Sequence, residues 1–199
     1  MILYVASNNA HKLEEIRSAM PRFDIRSPQD AGIEFEFPEN EDSFIGNSTG
    51  KALALWKLLG IPVLADDSGL CVDALGGRPG VLSARYGSAD GIVPLSSEDR
   101  NALLLKEMEG RTDRACRFVC AMSLVLSGDR IFVVQETCEG VLLEAPYGAG
   151  GFGYDPVVYL PGLGRSIAEL SSDEKNRVSH RGRAILRMTA LADTLVQLD

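Results

Sequence analysis

The run Ile61-Pro62-Val63-Leu64-Ala65 constrains this chain more than any other stretch, because it reads as a short buried strand entered through a proline. It is the third such segment. Met1–Ala6 is apolar almost from the first residue, and Phe23–Ser27 is a second candidate strand. Leu13, Ile16 and Met20 recur at helical spacing after the polar loop Ser7–Lys12, which predicts a helix between these two strands. Ala52, Leu55, Trp56 and Leu59 predict a second helix over about Ser43–Gly60, stopped by Gly60-Ile61-Pro62. Strand, helix, strand, helix, strand selects an α/β layered fold.

The third strand delivers Asp66 and Asp67, followed by Ser68-Gly69, which reads as a turn. Neighbouring side chains on an extended segment point to opposite faces, so one carboxylate is expected to meet a cleft and the other to prop a loop. This stretch alone admits two readings: a magnesium site and general base where a strand ends, or a solvated Asp-Asp turn. Positive charge elsewhere favours the first. His11 and Lys12 fall in the opening turn of the first helix, and His180, Arg181 and Arg183 in that of a final helix over about Ser179–Leu198. The helix dipole disfavours cations there, whereas the exposed amides attract anions, so a bound phosphate would relieve both misfits. A helix capped by Asn8 or Asn9 with a solvated lysine is the alternative. No G-x-x-x-x-G-K-[ST] loop is present.

Further along, Gly76-Gly77-Arg78-Pro79-Gly80 is turn-rich, and Leu95–Glu109 reads as a helix opened by Ser96 or Ser97. Arg117–Leu126 and Arg130–Leu143 read as a long hairpin about Ser127-Gly128-Asp129, forming a second lobe or an intersubunit surface. Glycines crowd Gly148–Gly153, where Phe152 and Tyr154 offer flat faces to a base. Ser171-x-x-Glu174 is a capping box that starts a short helix carrying Lys175.

The 199 residues carry 45% hydrophobic and 24% charged side chains, ordinary for a single globular domain, taken here as 1–199. A net charge of -8 argues against long nucleic acid, which is held mainly by Lys and Arg. No apolar run approaches the roughly 18 residues of a membrane span, and polar side chains from Ser7 onward leave no signal-peptide core. The expectation is a cytoplasmic protein without a membrane partner. Cys71, Cys116, Cys120 and Cys138 form no C-x-x-C pair, so reduced thiols are expected rather than zinc.

Ser7-x-Asn9-x-x-Lys12, Ala65–Leu70, Leu75-Gly76-Gly77-x-Pro79-Gly80, Ser83–Tyr86, Gly150–Pro156 and Ser179-His180-Arg181 occur in the order found in one family. The chain closely resembles the inosine/xanthosine triphosphate pyrophosphatases, the HAM1-like non-canonical purine nucleotide hydrolases, over essentially its whole length. The resemblance implies an elongated, twisted mixed sheet flanked by helices, in two lobes with a central nucleotide cleft. It also implies a homodimer, a Mg²⁺ requirement and cleavage of ITP, dITP or XTP to monophosphate and pyrophosphate. By motif position Ser7, Asn8, Asn9, Ala10, His11 and Lys12 would hold phosphate, and Asp67 would be proton acceptor and metal ligand. Ser68, Phe152, Gly153, Tyr154, Asp155, Lys175, His180 and Arg181 would contact substrate, and Glu39 falls near where the family places another metal carboxylate. Many relatives carry Glu where this chain has Gly46, which leaves one fewer carboxylate near the metal. Asn8 and His11 stand where small residues are frequent.

The residue inventory supports the same chemistry. Lys12 and Lys51 can stabilise a leaving pyrophosphate, Asp67 can deprotonate the attacking water, and Arg181, which has only donors, can pair with a purine 6-carbonyl. A non-catalytic nucleotide sensor and a pyrophosphatase preferring a modified pyrimidine are the competing readings. An Asp-nucleophile phosphatase needs an Asp-x-Asp spacing that Asp66-Asp67-Ser68 does not supply.

Overall fold

The computed structural model describes residues 1–88 and 93–196. Seven strands form one sheet in the order β2-β1-β3-β4-β5-β6-β7: β1 Ile2–Val5, β2 Asp24–Arg26, β3 Val63–Val72, β4 Ala115–Ser127, β5 Arg130–Leu142, β6 Val158–Leu160 and β7 Arg165–Ser166. β1 pairs parallel with both β2 and β3, whereas β6 pairs antiparallel with β5 and β7. The sheet is therefore mixed, with helices α1 Ala10–Ala19, α2 Phe44–Leu59, α3 Ser97–Glu107, α4 Ser172–Val178 and α5 His180–Val196. The short strands β6 and β7 were not foreseen from sequence. The last two residues expected in the final helix, 197 and 198, lie outside the described residues.

The chain divides into two compact units, Met1–Asp67 with Cys120–Glu136 and His180–Asp199, and Ser68–Val119 with Thr137–Ser179. In the first unit, alternation along the strands sorts the core onto two faces. Leu3, Val5 and Leu64 pack with Leu13 and Ile16 of α1 and Ala184, Ile185 and Met188 of α5. Tyr4, Ala6, Val63 and Ala65 pack instead with Ala52 and Leu55 of α2. The two helices that connect the parallel strands thus cover opposite faces. In the second unit Leu70, Val72, Leu104, Phe118, Val157 and Ile167 form a separate core.

Local signals account for most element ends. Asn9 caps α1, accepting from the amides of His11 at 3.0 Å and Lys12 at 3.3 Å. Ser43 caps α2, and Gly60 ends it with φ of 64°. The box of Ser171 with Glu174 opens α4 as expected. Gly128–Asp129 joins β4 to β5, short enough to require an antiparallel hairpin. All four cysteines are free thiols.

One expectation fails. Asp66-Asp67 does not end a strand, nor is Ser68-Gly69 a turn: β3 runs on unbroken to Val72. Glycine is required at position 69 for close approach, since a Cβ there would lie 2.4 Å from both the Gly80 carbonyl oxygen and Ser83 Oγ.

Candidate active site

β1 ends at Val5 while β3 continues past its last register partner, Leu64. The crossover through α1 leaves β1 on one face and the crossover through α2 enters β3 from the other. Asp66-Asp67 lie within β3, just past the carboxyl end of β1 and the Ser7–Lys12 segment that follows it.

The alternation that sorts the core also separates the two carboxylates. Asp66 continues the Leu64 face and meets α1 and α5. Its Oδ2 is 3.1 Å from Lys12 Nζ and accepts from Arg181 Nε at 3.2 Å. Asp66 is fully buried, and burial alone would raise its pKa. The charges of Lys12, Arg181 and Lys51 outweigh burial and hold it well below the usual carboxylate range. Asp67 continues the Ala65 face and meets α2, accepting from Asn47 Nδ2 at 3.0 Å. Burial, with the charge of Glu39 adding to it, pushes Asp67 up to about 6. Adjacent aspartates therefore have opposite properties, one held ionised and one poised to take a proton near neutral pH. Neither is a solvated turn residue.

Lys51 of α2 is buried and ion-paired with Glu39. Burial opposes its charge, but Asp66 and Glu39 prevail and raise its pKa. Two residues that sequence reasoning missed complete the cluster. Glu15 accepts from Arg181 Nη1 at 2.7 Å. Asn47 sits one turn before Lys51, and its spacing with Lys51 and Leu55 along the buried face was the signal available: a polar side chain at a core position.

Cations at the helix starts have partners within the protein. Lys12 and Arg181 both serve Asp66, so neither needs a phosphate to offset the dipole. Arg181 is 2% exposed, and its Nε and Nη1 are held by Asp66 and Glu15. In the phosphate segment, Ser7 Oγ accepts from the Asn9 amide, and Asn8 bridges Phe35 O and Gln29. Ala10 and His11 are exposed. His180 is buried.

In the second unit, Asp155 organises the glycine loop. Its Oδ2 accepts from the Phe152 amide and from Lys175 Nζ, each at 2.8 Å. Lys175 Nζ also lies 4.3 Å from the centre of the half-buried Phe152 ring. Asn101 of α3 donates to Gly153 O at 3.0 Å, a support that sequence reasoning also missed. Tyr154 is not an open stacking face, because it is buried in the core and donates to Ser83 O at 3.0 Å. Ser68 is half-buried in β3.

Among the described residues no group of three or more His, Cys, Asp or Glu could hold a metal ion. Asp67 and Glu39 are a two-carboxylate, hard-oxygen pair whose mutual repulsion a cation would relieve. That suits a metal that keeps water and substrate phosphates as its other ligands.

The Ham1 family model matches residues 3–191. A dITP/XTP pyrophosphatase of Treponema denticola is 47% identical over 189 residues, covering 95% of this chain and 97% of the relative. One of Geobacillus kaustophilus is 42% identical, covering 94% and 91%. Among solved structures, the Ham1 protein of Staphylococcus aureus superposes with a TM-score of 0.88 at 34% identity, covering 98% of this chain and 99% of that one. Sequence, fold and length agree, and the chain belongs to the Ham1 family.

Proposed function

We infer that this protein hydrolyses non-canonical purine nucleoside triphosphates (dITP, XTP and ITP) to the monophosphate and pyrophosphate, removing them from the nucleotide pool. The full-length likeness to enzymes named dITP/XTP pyrophosphatase supports the substrate class. The observation that carries the chemistry is Asp67, a nearly buried carboxyl raised to about 6 beside the buried cation Lys51.

In this reading Asp67 orients a water against the α-phosphorus and accepts its proton. The bond from the α-phosphorus to the bridging oxygen breaks, and pyrophosphate leaves with that oxygen. Lys51 and Lys12 stabilise the charge that develops on it. Asp67 and Glu39 would hold Mg²⁺, which would neutralise triphosphate charge and acidify the water. Asp66 keeps Lys12 and Arg181 in place and takes no proton. The Ser7–His11 segment and Ser68 are assigned to phosphate, with His180 beside Arg181. Phe152 is the stacking face, held by Asp155 and Lys175, with Gly153 and Tyr154 shaping that loop. A single 1–199 domain, a homodimer and a cytoplasmic setting complete the reading. No helix among the described residues is long and apolar enough to cross a membrane.

The test is pyrophosphate release from dITP, XTP, dATP and dUTP, with and without Mg²⁺. Release from dITP and XTP far above that from dATP, abolished by chelation, is expected. Nucleotide binding without release would favour the sensor, and preference for dUTP the pyrimidine enzyme.

A further inference from the structure

Asn47 is completely buried, yet Ser43 already caps α2 through the Gly46 amide at 3.0 Å, so helix capping does not explain it. Its amide makes three bonds that no other side chain of its size could make together. Nδ2 donates to Asp67 Oδ2 at 3.0 Å and to Glu41 O at 3.3 Å, while Oδ1 accepts from the Glu41 amide at 3.0 Å. Aspartate has the same shape but lacks both donors.

Glu41 follows Glu39 by two residues in the acidic segment before α2, and Lys51, one turn after Asn47, pairs with Glu39. The helix therefore grips this segment twice, by its backbone and by its carboxylate. Gly46 permits the grip: a Cβ there would lie 2.9 Å from Glu41 Cβ.

We propose that Asn47 is a positioning residue that ties the Glu39 segment to Asp67 and sets the two carboxylates at the separation at which they bind a divalent cation. This rests on the metal-dependent reading above. The bond to Asp67 Oδ2 fixes the plane of that carboxylate, and the two bonds to Glu41 carry Glu39 with it.

The test measures Mg²⁺ binding to the full chain by calorimetry, without nucleotide, beside kcat on dITP. Asn47→Leu, close in volume and uncharged, should weaken Mg²⁺ binding about 10- to 100-fold and lower kcat in step. Ser48→Ala is the control: Ser48 follows Asn47 on α2, and the substitution removes an equally buried bond of 2.8 Å to Ser123 of β4; it should lower stability with Mg²⁺ binding intact. Wild-type Mg²⁺ binding in Asn47→Leu, or an equal loss in Ser48→Ala, would overturn the proposal.

Asn47→Asp combined with Asp67→Asn exchanges donor and acceptor, and is measurable even if the leucine variant does not fold. The pair should be more stable than the sum of the single substitutions allows; additivity would overturn the clamp. Absence of both Mg²⁺ binding and pyrophosphate release in the wild type would instead sink the functional reading. Normal wild type with an indifferent Asn47→Leu sinks this proposal alone.

Discussion

Asp66→Asn separates the structural carboxylate from the chemical one. The substitution preserves shape and removes the charge that Lys12 and Arg181 share at 3.1 and 3.2 Å. Deleting one partner of a buried ion pair costs about 3–5 kcal/mol. Two features favour the lower end: Arg181 retains Glu15, and the Lys12 side chain is 15% exposed and can reach water. A loss near 3 kcal/mol in a chain of this length lowers Tm by about 6–12 °C. Calorimetric or denaturant unfolding at pH 7 measures it. The pH dependence supplies the sign. Asp66 titrates lower in the folded protein than in the unfolded chain, where it is near 3.9. Its contribution is therefore complete above the unfolded value and is lost as pH falls below it. The stability gap between wild type and Asp66→Asn should be constant from about pH 7 to 5 and narrow below about pH 4. No gap at pH 7, or one unchanged at pH 3, would refute the account of Asp66 as the anchor of two cations.

Asp67→Asn should lower kcat for pyrophosphate release by about 100-fold or more, as loss of a general base and metal ligand does. Because Asp67 titrates higher folded than unfolded, metal-free wild type should lose stability as pH rises from about 4 to 6, and the variant should lack that decline; parallel Tm–pH curves would contradict the raised pKa. Lys12→Ala should destabilise the ligand-free protein by about 1.5–3 kcal/mol, the worth of a charged hydrogen bond. The dipole alone predicts no loss, or a gain of roughly 0.3–1 kcal/mol, so thermal melts decide between them. Lys175→Met leaves buried Asp155 without its cation and uncovers Phe152, and should raise KM for dITP more than it lowers kcat. Steady-state kinetics unchanged from wild type would refute the proposed role of Phe152 as the stacking face.

Much of this molecule is written in local pattern. The apolar runs before Ser7 and Asp66, the helical spacing of Leu13, Ile16 and Met20, and the stop at Gly60 depend on neighbours within a few residues, and each appears close to where the sequence puts it. Capping by Asn9, Ser43 and Ser171 is legible for the same reason: donor and acceptor are at most three residues apart. Alternation even separated Asp66 from Asp67 onto opposite faces before their partners were known.

The partners themselves were decided by tertiary structure. Asp66 meets Arg181 across 115 residues of chain, and Asp67 meets Asn47 across 20. No periodicity encodes which charged groups converge once helices cover a sheet. That is why Lys12 and Arg181 read from sequence as cations awaiting an anionic ligand, when Asp66 already pairs with both and Glu15 with Arg181. The continuation of β3 through Asp-Asp-Ser-Gly has the same origin. Those residues disfavour a strand locally, but Lys12 and Arg181 pair with Asp66, the Asn47 amide bonds Asp67, and close packing of Gly69 on the Gly80–Ser83 turn makes the glycine a requirement of the strand rather than its end.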